Sequence, residues 1–505
     1  MKAKPIMIQG TASSSGKSLI TAALCRIFHQ DGFRVAPFKA QNMSNNSFVT
    51  RDGLEMGRAQ VVQAYAAGLE PDVRMNPVLL KPSSDTGSQV VLQGKPSFIM
   101  NAKEWHDTRN RLRCTIKECY ESIALENEIM VIEGAGSPAE INLKENDIVN
   151  MGMANMADSP VIIVGDIDRG GVFASLVGTM ELLENEERAR AKGFIINKFR
   201  GDAGLLKDGL EKLEEITSVP VLGVVPWIEH TIDEEDGVSS RFERRDYPQS
   251  DVDICIIRLP HISNYTDFLP LENVPGVTVR WCDSRDKIGS PDLLIIPGTK
   301  ATVNDLKKLK ESGIADEIIA YAKRGNTVFG VCGGFQMMGK VIYDPDHCES
   351  NADYETGLGL LDMKTSFFPQ KITEQVKAQI CKSCFWLFPG LSGSFVNGYE
   401  IHMGKTEFGD EVFPLLYGTE RNGKMYINGV TDKTGKIAGT YLHGLFDSSQ
   451  ITKGMVNVLR KRKGLEIIGD EIMEHHVKLN DDINYLAGIV KDNIDMDAIY
   501  KITGI

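Results

Sequence analysis

Ile6-Met-Ile-Gln9 runs without a break into Gly10-Thr-Ala-Ser-Ser-Ser-Gly16-Lys17-Ser18, and a good helix former, Leu19–Phe28, follows. A short apolar strand, a glycine-bounded turn and a helix, in that order, make the setting in which a loop wraps phosphate. Glycines let backbone N–H groups turn inward, and the helix N-terminus adds a favourable dipole. Lys17 neutralises charge and the Ser18 hydroxyl is a magnesium ligand. Gly10, Thr11, Ser15, Gly16, Lys17 and Ser18 are therefore the candidate nucleotide-binding residues, with ATP and Mg2+ as the expected cofactors. The common pattern has four residues between its glycines, whereas Gly10 and Gly16 enclose five. A Ser- and Gly-rich turn with no ligand is the plain alternative.

Working outward, short apolar runs alternate with longer helical patterns: Pro5–Gln9, Arg34–Phe38, Ile129–Glu133, Pro160–Gly165, Gly193–Asn197 and Val219–Val225. Such alternation predicts parallel strands joined by crossover helices, an α/β domain. Ile129-Met-Val-Ile-Glu133-Gly-Ala-Gly136 is an apolar strand that ends in an acid, which places Glu133 at the carboxyl edge of the sheet where ligands collect. Ser18 and Glu133 are the candidate metal residues. Another strand exit reads Gly165-Asp-Ile-Asp-Arg-Gly-Gly171; Asp166, Asp168 and Arg169 either touch phosphate or substrate, or cap the next helix.

From 233 to 250 the chain becomes charged, rich in Gly, Ser and Pro, and aperiodic, which reads as a linker. A second alternating series then begins: Asp253–Leu259, Val277–Trp281, Leu293–Pro297, Thr327–Val331 and Lys436–Leu442. Within it, Gly325-Asn-Thr-Val-Phe-Gly-Val-Cys332-Gly-Gly-Phe-Gln-Met-Met-Gly339 sets a cysteine between an apolar strand and a helix. A tight turn there exposes the thiol, the helix N-terminus lowers its pKa, and nearby amides stabilise an oxyanion. Its chemistry is attack on a carboxamide such as that of glutamine, through a thioester, with release of ammonia. His443, at the end of Lys436–Leu442, is the candidate base. The backbone N–H groups at Gly298 and Gly333 are candidates for the oxyanion hole. The expected organisation is thus two doubly wound, mainly parallel-sheet domains: 1–232 binding nucleotide, a 233–250 linker, a second domain at 251–448, and a helical extension at 449–505 packed on the second domain. Lys453–Lys463 and Asp481–Tyr500 are its helices.

Composition narrows the function. A chain of 505 residues supports two cores, and a formal net charge of -13 argues against nucleic acid as a partner. Nine cysteines, an odd and scattered count, read as reduced thiols of a cytoplasmic protein. The Cys381/Cys384 pair lacks a second ligand pair for zinc. No apolar stretch approaches the ~20 residues of a transmembrane helix, so no membrane role is expected. Oligomeric state is not legible, and a homo-oligomer is compatible with everything above.

These residues together resemble the class I glutamine amidotransferases fused behind a dethiobiotin synthetase-like ATPase, whose variant loop opens with Gly-Thr. The second domain is then expected to be flavodoxin-like. The match is closest to the cobyric acid synthase family, through Lys39–Asn46, Lys81-Pro-Ser-Ser-Asp85, Asp166–Gly171, Leu259-Pro-His-Ile-Ser-Asn-Tyr-Thr-Asp-Phe268 and Tyr399-Glu-Ile-His-Met-Gly404. The resemblance implies glutamine and a corrinoid as substrates, ATP-driven activation of corrinoid carboxylates and four successive amidations. It makes Lys39, Asn42, Asp166 and Asp168 candidate substrate contacts. One departure stands out: the usual triad has Glu two residues after the histidine, and here that position is Leu445. Glu400 and Asp447 are alternative groups to orient His443, and His402 is a competing base. Two rival readings are the synthase that forms the a,c-diamide from an earlier corrinoid, and a partition-type nucleotide switch; an exposed thiol at Cys332 argues against the switch.

Overall fold

The computed structural model describes residues 3–82, 87–101, 105–230, 232, 242, 250–383, 386–421, 424–469 and 472–505. The chain forms two units. The first comprises Met1–Ser44, Met56–Asp236 and Leu479–Ile505; the second comprises Asn45–Glu55 and Gly237–Lys478.

The first unit is built on a six-stranded sheet in the order Val221–Pro226, Ala191–Phe199, Val161–Asp166, Lys4–Gly10, Ile129–Glu133, Val35–Phe38. Every pairing is parallel, and the strands are aliphatic on both faces because helices cover both. Ile6, Ile8, Val131, Ile162, Val164 and Ile195 are fully buried in one core. Lys4–Gly10 lies between strands that continue in opposite directions across the sheet, so Gly10, Glu133 and Asp166 end side by side at the switch point where such sheets bind ligands. A separate four-stranded sheet joins Gln41–Met43, Val78–Pro82, Gly87–Leu92 and Lys95–Asn101.

In the second unit, Val277–Cys282, Val252–Ile257, Leu293–Ile296, Val328–Val331 and Ile437–Thr440 form a parallel run, as their sequence predicts. The sheet then continues antiparallel through Lys424–Asp432 and Val412–Arg421 to the long pair Met363–Ile380 and Phe395–Phe408. Alternating burial along Met363–Ile380 shows one covered face and one wet face; this extension is not evident from short apolar runs.

Two parts of the expected domain plan are corrected. The helical tail does not all pack on the second domain. Ser449–Arg462 does belong to the second core, through Ile451, Met455, Val456 and Leu459. Beyond Lys478, however, Ile483, Leu486, Ala487, Val490, Ile494 and Ile499 fill the first unit's core. Their helical spacing makes an apolar stripe, and a stripe by itself does not say which sheet it covers. Lys491 also pairs with Asp31 at 2.9 Å. Likewise Asn45–Glu55, inside the span read as the nucleotide domain, belongs to the second unit. The linker reading at 233–250 lies almost wholly outside the described residues; Phe242, within them, packs on Trp281 with ring centroids 4.8 Å apart. Among the described residues no helix is long and apolar enough to cross a membrane.

Candidate active sites

In the first unit the strand Lys4–Gly10 hands over to the helix Lys17–Gln30 through a loop with Ser14 and Gly16 in left-handed conformations. A side chain at Gly16 is doubly excluded: φ is +96°, and a Cβ would meet the Asn197 carboxamide at 2.0 Å. That carboxamide donates to the Ser15 carbonyl at 2.9 Å and pins the loop. Thr11 is tied by its amide to the Val164 carbonyl at 3.0 Å. The Ser15 hydroxyl is buried without a partner, and a Cβ on Gly10 would lie 2.1 Å from it. Lys17 is buried and reaches the carbonyls of Ala12 at 2.9 Å and Gly136 at 3.1 Å. The loop therefore carries its lysine across to the end of the strand that delivers Glu133.

Glu133 is fully buried. One of its oxygens accepts from Ser18 Oγ and from Lys39 Nζ, each at 2.8 Å, and the other accepts from Gln63. A hydroxyl and a carboxylate touching at the foot of a phosphate-type loop are hard oxygen donors of the kind magnesium takes. Among the described residues no three His, Cys, Asp or Glu side chains gather as a metal cage, so a cation here would complete its shell with nucleotide oxygens and water. The residues fit the ion on that condition.

The remaining substrate candidates divide. Lys39 is brought into the Glu133 cluster as a buried ion pair. Asn42 is buried and gives its Nδ2 hydrogen to Gln60 at 2.8 Å. Asp166 accepts from the Asp168 amide at 2.9 Å and pairs with Lys198 at 2.9 Å, while Asp168 pairs with Arg200 at 2.8 Å. Neither acid caps the next helix, Val172–Leu182, whose N-cap is Gly171 with no side-chain cap bond. Lys81 is described, whereas residues 83–86 of the motif beside it lie outside the described residues.

In the second unit Cys332 links the strand Val328–Val331 to the short helix Gly333–Met337 with φ 51° and ψ -111°. A non-glycine residue there is strained and held by its surroundings. The following glycines are required by close packing: a Cβ on Gly334 would lie 2.1 Å from the Ile296 carbonyl oxygen. One on Gly333 would lie 3.1 Å from the Thr299 amide nitrogen. The sequence reading offered Gly298 and Gly333 for the oxyanion; the structure puts Gly333 against Thr299, and Gly298 near His443 Cε1.

His443, 1% exposed, arrives from the neighbouring strand Ile437–Thr440. Its Nε2 is buried without a hydrogen-bond partner among the described residues, while the Cys332 thiol, itself buried, donates to the Ile401 carbonyl at 3.6 Å. Its Nδ1 lies 2.6 Å from Asp267 Oδ2, and the other Asp267 oxygen accepts the Gly444 amide at 3.1 Å. Burial pulls the imidazole pKa down, but the Asp267 charge and then Cys332 outweigh it and raise it to about 10. The histidine is thereby held as an imidazolium at neutral pH. Tyr399 stacks on its ring at 5.3 Å, and Asn264 lies 3.5 Å from both Nδ1 and the Tyr399 hydroxyl. Ser47 closes this support: its amide donates to Asn264 at 2.9 Å and its carbonyl accepts from Tyr399 at 3.1 Å.

Sequence reasoning left the partner of His443 open between Glu400 and Asp447, and neither is the group found. Glu400 instead holds His402 at 3.0 Å and binds Arg421 and Asn428. Burial opposes its ionisation, yet His402 and Arg421 take its pKa down to about 2. His402 is also stacked on Tyr441 at 3.9 Å. Asp267 sits inside the Leu259–Phe268 segment, whose Ser, Asn, Thr and Asp run was the available signal. Cys381 is free, and Cys384 lies outside the described residues.

Residues 6–237 match the CobQ/CobB/MinD/ParA nucleotide binding domain and residues 253–451 the CobB/CobQ-like glutamine amidotransferase domain. With its cysteine elbow and phosphate-type loop, the chain is a glutamine-dependent amidotransferase ligase carrying a nucleotide-binding domain. It is 51% identical over 498 residues to the cobyric acid synthase of Alkaliphilus metalliredigens, covering 98% of this chain and 99% of that one. It is also 51% identical over 499 residues to that of Caldanaerobacter subterraneus and 50% identical to that of a Thermoanaerobacter species, each covering 98% of both chains. The chain belongs to the cobyric acid synthase family.

Proposed function

We propose that the protein uses glutamine and ATP to amidate the b, d, e and g carboxylates of adenosylcobyrinic acid a,c-diamide, yielding cobyric acid in adenosylcobalamin synthesis. The observation that carries the nitrogen half is the Asp267 carboxylate on His443 Nδ1 at 2.6 Å, just past the strand next to the one that ends at the Cys332 elbow. Cys332 thiolate attacks the side-chain carbonyl of glutamine, and the oxyanion is met by amides at Gly333 and the Gly298–Thr299 turn. His443 gives its proton to the departing nitrogen, which leaves as ammonia. Water, deprotonated by the now neutral imidazole, then cleaves the thioester to glutamate and free thiol.

The loop Gly10–Ser18 with Lys17 supports the other half. A carboxylate resists ammonia because its leaving group is poor. Transfer of the ATP γ-phosphoryl group to a corrinoid carboxylate oxygen makes an acyl phosphate, and ammonia displaces phosphate to form the amide. Lys17 would neutralise charge on the transferring group, while Ser18 and Glu133 would hold magnesium, whose charge screens the phosphates. We place this reaction in the cytoplasm, in keeping with the free cysteines described.

Incubating the protein with glutamine, ATP and either corrinoid, then counting new amides by mass spectrometry, tests the proposal. Four amides gained on the a,c-diamide are expected. Amidation only of cobyrinic acid, stopping at the a,c-diamide, would assign the rival activity, and no glutamine-dependent amide on either would reject both.

A further inference from the structure

Past the Cys332 elbow lie two charges of opposite sign that are not paired with each other. Lys300 follows the Gly298–Thr299 turn, and its amide is fixed to the His261 carbonyl at 2.9 Å. Thr299 and Thr302, on either side of it, press on Gly333: a Cβ there would lie 2.9 Å from Thr299 Cγ2 and 3.2 Å from Thr302 Oγ1. Glu349 reaches the same place from a distant loop, and its Oε2 accepts the Thr302 amide at 2.8 Å. The two charges act on each other more strongly than any other charge acts on either, and Cys332 is among the groups that act on Lys300.

Nevertheless, no ion pair within 4.0 Å among the described residues involves either group. The neighbouring Lys371 is engaged, pairing with Glu55 at 2.6 Å where both are buried. Burial lowers the Lys300 pKa, with Glu349 opposing, and pushes Glu349 up to about 7, with Lys300 opposing. Both residues are half-buried, and a charge drawn partly out of water without an ionic partner is costly. A ligand that carries both charges on one carbon would satisfy both at once, and an amino acid is such a ligand.

We propose that Lys300 and Glu349 form the subsite for the backbone end of glutamine, Lys300 binding its α-carboxylate and Glu349 its α-ammonium group. The side-chain amide is thereby presented to Cys332, and the site is selective for the free amino acid over a glutamine whose α-groups are blocked. This rests on the reading of Cys332 as the glutaminase nucleophile.

The test uses the full chain and its Lys300→Met and Glu349→Gln variants, with L-glutamine, L-glutaminamide and N-acetyl-L-glutamine as nitrogen sources and ammonium as a control. The unmodified protein is expected to prefer glutamine over both analogues. Lys300→Met is expected to raise the glutamine KM about 10- to 100-fold, the worth of a hydrogen bond to a charged group. It also erases the preference over glutaminamide while retaining ammonium-dependent amidation. Glu349→Gln erases the preference over N-acetylglutamine in the same way. An unchanged KM or an undiminished preference in Lys300→Met overturns the assignment, as does loss of ammonium-dependent turnover in a variant with a native melting curve. Should the variants not fold, equal KM values for glutamine and both analogues in the unmodified protein overturn it. Failure of the underlying reading looks different: glutamine-dependent product would persist in Cys332→Ala.

Discussion

Asp267 Oδ2 meets His443 Nδ1 at 2.6 Å across 176 residues of chain. The loop after the strand Val252–Ile257 thus brings an acid to a histidine whose own neighbourhood has Leu445 where the usual triad has Glu. In the proposed reaction this acid takes the orienting role of the glutamate absent at Leu445, without occupying its position.

Asp267→Asn removes the largest influence that raises the imidazole pKa, leaving burial to lower it. Glutamine hydrolysis is expected to fall about 10²- to 10⁴-fold. The linkage has a definite sign. With a folded pKa of about 10 against an ordinary value near 6.5, the charged histidine's contribution to stability is complete below pH ~6.5 and is lost as pH rises through about 10. In Asp267→Asn that alkaline loss begins at lower pH, which denaturant titrations across pH would detect.

Cys332→Ala is expected to abolish amidation from glutamine while sparing amidation from high ammonium, since the nucleotide loop belongs to the other unit. Parallel assays with the two nitrogen sources check this. Loss of both activities in a protein with native circular dichroism would count against separate centres.

Lys17→Ala acts on the opposite half and abolishes amide formation from either source. Glu133→Gln weakens the Ser18 and Lys39 contacts around one carboxylate oxygen and raises the magnesium concentration needed for half-maximal turnover. A magnesium titration of ATP hydrolysis in the presence of corrinoid reads the shift.

Ile483→Ala deletes a fully buried side chain from the first unit's core. A loss of about 2–5 kcal/mol is expected, and it falls on nucleotide binding first, although residue 483 lies at the far end of the chain. Chemical denaturation followed by a nucleotide fluorophore, against cysteine reactivity as the probe of the second unit, separates the two.

Much was legible in sequence because it depends on near neighbours. A strand, a turn and a helix specify their own geometry, so the loop at Gly10–Ser18 and the elbow at Cys332 could be read with their glycines, and the parallel strands followed from short aliphatic runs. Glu133 and His443 were also within reach, since a strand's last residue emerges at a known edge. What lay beyond was pairing between remote segments. Asp267 and Glu400 look alike as acids in polar stretches, and only the packed fold sends one to His443 and the other to His402. The helix that begins at His475 carries an apolar stripe that would suit either core, and Asn45–Glu55 carries nothing that names its destination. Sequence determined the local chemistry, because backbone sterics and burial periodicity act over a few residues; tertiary structure alone decided which charges meet, because that depends on distances the chain closes only when it folds.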